Sequence, residues 1–95
     1  MKYRVKKDFL LKDIAGESIV IPRGTAALDF NGTLVLNEAC ALLWKSLSDF
    51  TTCEELATIL VKEYNIEQEI AVRDVEKCVA KMEQYELLDV YVEVK

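Results

Sequence analysis

The stretch LDFNGTLVLNEACALLW, Leu28–Trp44, decides how the rest of the chain is read. Asn31-Gly32 between two apolar runs is the strongest short-range hairpin signal, because both central positions of a type I′ turn need positive φ. Counting outward pairs Phe30 with Thr33, Leu28 with Val35 and Ala27 with Leu36. Thr33–Leu36 is then a strand, and it is expected to be the last strand of a small antiparallel sheet. Asn37 stops it and caps a helix, since its side-chain oxygen can accept from free N–H groups of the first turn. Glu38 sits favourably at the positive end of that helix.

Upstream, FLLKDIAGESIVIPRG reads as two strands, Phe9–Ile14 and Ser18–Pro22, around an Ala15-Gly16 turn. Pro22 and Gly24 break the pattern, because proline cannot donate a ladder hydrogen bond. Downstream, a first helix over Glu38–Leu47 presents Ala39, Leu42, Leu43 and Leu47 on one face, with Trp44 anchoring the junction to the sheet. Thr51 with Glu54, or Thr52 with Glu55, has capping-box spacing. It opens a second helix, Cys53–Tyr64, whose Leu56, Ala57, Leu60, Val61 and Tyr64 form one stripe. A third helix, Ile70–Tyr85, repeats Ala71, Val75, Cys78, Met82 and Tyr85. The last residues alternate Leu88, Val90, Val92 and Val94 against Asp89, Tyr91, Glu93 and Lys95, the period of a strand. KYRVK near the start offers Tyr3 and Val5 between basic residues that complement Asp89 and Glu93. The two ends are therefore expected to pair, within one chain or between two.

Ninety-five residues support one domain, 1–95, with a modest core. The fold class is α+β and winged-helix-like: a small N-terminal antiparallel sheet, three helices and a short C-terminal strand. No run approaches a membrane span and no secretory signal is visible, so no membrane partner is expected and the cytoplasm is the default. The three cysteines form no C-x-x-C pair, so a disulfide is not expected and all three read as small core residues. With no histidine, a zinc site would need three cysteines from three elements plus a carboxylate. No metal and no cofactor are expected. The absence of histidine also removes the commonest general base, and none of the 17 acids sits in a catalytic motif, so no catalytic residue is assigned and the chain reads as a non-enzyme.

Net charge is −5, and Asn37–Lys95 carries six basic against thirteen acidic residues. A winged helix commonly places a helix in the major groove, which makes a DNA-binding or regulatory protein the alternative reading. The third helix mixes Arg73, Lys77 and Lys81 with Asp74, Glu76 and Glu83, which is no phosphate-contacting surface, so no nucleic acid is expected. TLVL has none of the devices that blunt an edge strand, neither charge, proline nor bulge. Something must cover it: a helix of this chain, a second copy (which leaves a homodimer open), or an extended peptide from a partner.

Across Thr33–Leu88 the ordered series Leu36-Asn37-Glu38, Leu43-Trp44, Thr52–Leu56, Asp74-Val75 and Leu87-Leu88 resembles the PqqD family, the peptide-recognition elements of ribosomally made, post-translationally modified peptide pathways. Two departures stand out. Ala39-Cys40 replaces the usual Thr-Gly, and Glu86 replaces the glycine before Leu-Leu, which predicts a third helix lacking its left-handed cap. The resemblance implies a non-catalytic adaptor. It would hold the leader of a precursor peptide as an added strand and present it to a modifying enzyme, often of the radical S-adenosylmethionine (radical SAM) class. Carried onto this chain, the peptide site is main chain of Thr33, Leu34, Val35 and Leu36 facing the third helix. There Arg73, Lys77 and Lys81 follow one line, and Val72, with Val79, would floor the groove. The alternative for the cations is a salt-bridged surface through Arg73–Glu76 or Lys77–Asp74; for the valines it is core packing.

Overall fold

A computed structural model describes residues 1–30 and 32–93. Its elements run β1 (Lys2–Val5), β2 (Phe9–Ile14), β3 (Glu17–Pro22), α1 (Ala26–Asp29), β4 (Leu34–Leu36), α2 (Glu38–Ser46), α3 (Cys53–Tyr64), α4 (Gln68–Gln84) and β5 (Leu88–Tyr91). The fold is α+β: a small N-terminal antiparallel sheet, then helices and a closing strand. The strands form two sheets, one ordered β2-β3-β4 and the other pairing β1 with β5.

The β2–β3 hairpin forms where Ala15-Gly16 predicts it, both residues taking positive φ as a type I′ turn requires. The next expected hairpin does not form. Ala26–Asp29 makes a helical turn, and β4 pairs with β3 through Ser18↔Leu36, Ile19↔Val35 and Val20↔Leu34. The pairings of Phe30, Leu28 and Ala27 with Thr33, Val35 and Leu36 are therefore wrong. Asn31 lies outside the described residues, while Gly32 has φ +83°. Tertiary packing explains the difference. β3 needs a second partner for its free edge, and pairing there buries Leu34 and Leu36, whereas Leu28 is left 83% exposed.

The two ends meet within one chain. Lys2↔Tyr91 through Val5↔Leu88 are in antiparallel register, with Arg4–Asp89 at 3.2 Å and Lys2–Glu93 at 3.6 Å, the charge match read from the sequence. The expected alternation at Val94 and Lys95 falls outside the described residues. The other edge of β1 is closed by the α2–α3 connection: Tyr3 and Thr51 exchange main-chain hydrogen bonds of 2.8 and 2.9 Å, and Val5 N–H donates to Leu47. Arg4 stacks its guanidinium 4.3 Å from the Phe50 ring centre.

Asn37 Oδ1 accepts from Cys40 N–H at 2.8 Å, and Thr52, the second of the two capping options, accepts from Glu55 N–H. α2 is rotated from the expected face: Cys40, Ala41, Leu43 and Trp44 are buried, with Ala39 and Leu42 only partly so. The helices meet over Leu43, Leu47, Leu56, Leu60, Val75 and Met82, none of which touches solvent measurably or by more than a trace. α4 is capped after all. Glu86 itself takes φ +58°, and Leu87 N–H reaches back to Met82 O at 3.0 Å, a left-handed stop made without glycine.

One pH consequence follows from this core. Burial, with Glu76 and Glu83 adding to it, pushes the Cys53 thiol up; burial, with Glu83 and Cys53, does the same to the Tyr3 phenol. Both groups hold their protons more tightly folded than unfolded. Their contribution is full below the unfolded values and is lost as pH rises through the folded ones. Urea midpoints are expected to hold up to about pH 8.5 and to fall above it. Cys53→Ala with Tyr3→Phe should flatten that decline.

Candidate functional site

β4 pairs on one side with β3, and its other edge faces α4. Lys81 Nζ donates across that gap to Val35 O at 3.4 Å, which turns the carbonyl of Val35 toward α4. In a strand, the N–H and C=O of one residue point to the same edge. Val35 therefore offers both groups to the gap. By the same alternation those of Leu34 and Leu36 serve the ladder to β3, while the Asn37 carbonyl accepts from Ala41 N–H in the first turn of α2.

The gap opens into a cleft of about 210 Å³ lined by Asn37, Ala39 and Cys40 on one wall and by Asp74, Lys77, Cys78 and Lys81 on the other. α4 runs opposite to β4. Toward its start the cleft continues into an apolar hollow of about 370 Å³ between Ala39, Leu60, Tyr64 and Ile66. Toward its end, one turn past Lys81, Tyr85 joins Phe30 and Phe9 around a further hollow of about 250 Å³, with successive ring centres 6.1 and 5.6 Å apart. A trough that sets Lys77, Lys81 and Asp74 over a partly apolar lining, with an apolar pocket at one end and a mixed polar and aromatic one at the other, suits an extended peptide better than a small reactive molecule.

The predicted residues divide. Val35 lends its carbonyl to Lys81 across the gap, while Leu34 and Leu36 bury their side chains in the core. Lys77 and Lys81 stand on the cleft wall, and no ion pair to Arg73, Lys77 or Lys81 forms among the described residues, so the salt-bridged alternative is not realised. Arg73 is exposed one turn before Lys77 and outside the cleft lining. Val72 is partly buried against the core, about 200° round the helix from Asp74, and Val79 is buried. Neither valine floors the groove.

Sequence reasoning missed the pair that does. Cys40 and Cys78 form a disulfide, their Cα atoms 5.7 Å apart, so the expectation of three free core thiols is corrected for two of them. Cys53 alone is free. Both bonded cysteines are buried on helices as expected; spacing along the chain carries no sign that α2 and α4 bring them together. The replacement of Thr-Gly by Ala39-Cys40 was the available signal.

Comparison with known proteins follows the same outline. The sequence profile described as coenzyme PQQ synthesis protein D (PqqD) matches residues 19–88. The chain belongs to the PqqD family. Among curated proteins, none matches it in sequence. Of solved structures, a lasso peptide synthetase B1 complexed with its leader peptide superposes with TM-score 0.74 at 18% identity, over 95% of this chain and 100% of that one. TbiB1 in complex with the TbiA(beta) leader peptide gives 0.72 at 18%, covering 95% and 99%. The PqqD part of Methylobacterium extorquens PqqCD, a stand-alone recognition element, gives 0.74 at 16%, covering 94% and 89%. The fold of this PqqD-family chain is thus shared along nearly its whole length. Among the described residues, no helix is long and apolar enough to cross a membrane.

Proposed function

We propose that residues 1–95 act as one non-catalytic recognition unit that binds the leader of a ribosomally made precursor peptide. The leader adds as a strand to β4 and lies in the trough against α4. The unit then presents the peptide to a modifying enzyme, and the radical SAM class is the one the family resemblance implies. One observation carries this reading: β4 is the outer strand of its sheet, and its Val35 carbonyl is turned away from β3 toward α4, next to the cleft between Asn37, Ala39, Cys40 and Asp74, Lys77, Lys81. Two of the structures that share this fold hold leader peptides, which supports the same reading. Net charge of −5 and the mixed charges of α4 weigh against duplex DNA in that place.

The test is a titration of labelled protein with a panel of synthetic leader peptides from ribosomally made precursors, followed through backbone amides. Shifts are expected at Thr33–Asn37 and along Asp74–Tyr85. Shifts confined to β1, β5 or the β2–β3 hairpin would overturn the assignment. Lys77 and Lys81 add a charge preference. Reversing both, Lys77→Glu with Lys81→Glu, should weaken an acidic leader roughly tenfold and flatten its salt dependence. Isothermal titration at two ionic strengths reads both effects.

A further inference from the structure

We propose that Cys40 and Cys78 form a reversible thiol–disulfide site that sets how tightly the cleft holds its peptide; this rests on the strand-addition reading of β4. The bond is placed to do so. Cys40 is the third residue of α2, its N–H held by Asn37 Oδ1, and Asn37 follows β4 directly. Cys78 is midway along α4, between Lys77 and Lys81. Joining them ties one wall of the trough to the other at its centre. Oxidised, the walls are fixed before the peptide arrives. Reduced, packing alone sets their separation, and the peptide must bear the cost of ordering them.

The surroundings favour exchange at this pair. Both cysteines are only 4–5% exposed, yet they line the cleft, which gives a small thiol a route to the bond. Lys77, Lys81 and Asp74 line the same cleft beside the bond. Cys53 makes a poor competitor, since burial, Glu76 and Glu83 hold its proton on. The oxidant is a low-molecular-weight disulfide. One cysteine thiolate attacks a sulfur of that disulfide, breaking its S–S bond and releasing one small thiolate. The second cysteine thiolate then attacks the mixed disulfide, forming Sγ–Sγ and expelling the other small thiolate. Two protein thiols are oxidised and one small disulfide is reduced to two thiols, which take up the two protons. A bound peptide covers the route and, by reciprocity, favours the oxidised state.

The experiment uses the full chain carrying Cys53→Ser. It is poised in glutathione redox buffers, its thiols are trapped by alkylation and counted by mass spectrometry, with and without the synthetic leader peptide that binds tightest in the amide titration. Leader affinity is measured for both redox states. The oxidised form is expected to bind about tenfold tighter, and saturating leader should move the midpoint about 30 mV more negative, the conversion of tenfold for a two-electron couple. Adding Cys40→Ala and Cys78→Ala, with folding checked by circular dichroism, should give the weaker affinity whatever the buffer. Equal affinity of the two states with an unmoved midpoint overturns the proposal while leaving the adaptor reading intact. Binding in neither state overturns the adaptor reading and this proposal with it.

Discussion

A fully reduced sample of this chain is expected to melt roughly 15–25 °C below the oxidised one. The bond spans 38 residues of sequence, from α2 through the whole of α3 into α4. Closing a loop of that length in the unfolded chain removes conformational freedom worth about 3–4 kcal/mol of stability. That is a large share of the roughly 5–15 kcal/mol available to a domain of this size. The exposed ion pairs Arg4–Asp89 and Lys2–Glu93 cannot compensate, since such pairs contribute about 0–1 kcal/mol each. Thermal unfolding of native and reduced samples, both alkylated after the scan, reads the difference. Cys40→Ala with Cys78→Ala in reducing buffer separates the cross-link from loss of packing. Coincident melting curves for the two redox states would mean that the sulfurs are not bonded in solution.

Val35→Pro is expected to weaken leader binding roughly 10- to 100-fold while leaving the fold close to intact. The Val35 N–H faces the trough, so proline removes a donor that the ladder to β3 does not use. Leu34 before it is already extended, the conformation a following proline requires. The leader loses one hydrogen bond and keeps an unpartnered carbonyl, a change of about 1.5–3 kcal/mol. Val35→Ala is the control. It keeps every main-chain group and trims a side chain that is 39% exposed, so affinity should stay within about threefold. Native affinity in the proline variant, with an unchanged melting temperature, would exclude strand addition at β4.

What the sequence disclosed was mostly local. The Ala15-Gly16 turn and the caps at Asn37 and Thr52 each depend on a few neighbouring residues, and each is where its residues predict. The pairing of the two ends was legible because alternation and charge agreed across it. Asn31-Gly32 misled because a strong local signal competed with a distant one: β3 offered Leu34 and Leu36 a buried ladder, and Ala26, Ala27 and Leu28 are good helix formers. The face of α2 was missed by about one residue, because its apolar side chains run almost continuously and leave the phase to be set by packing. At the site, the open edge was readable from the lack of charge and proline in TLVL. The Cys40–Cys78 bond and the Phe9, Phe30 and Tyr85 pocket were not, since each joins residues from separate elements that only the folded chain brings together.

The pairing of Lys2–Val5 with Leu88–Tyr91 sets an order of events during synthesis. Lys2–Val5 finds one partner in the Leu47–Thr51 connection, but its other edge has no mate until residues 88–91 have been translated. In the meantime the edge of Lys2–Val5 that Leu88–Tyr91 covers in the finished molecule is bare. A nascent chain stalled anywhere before residue 88 would therefore display an unpaired strand edge.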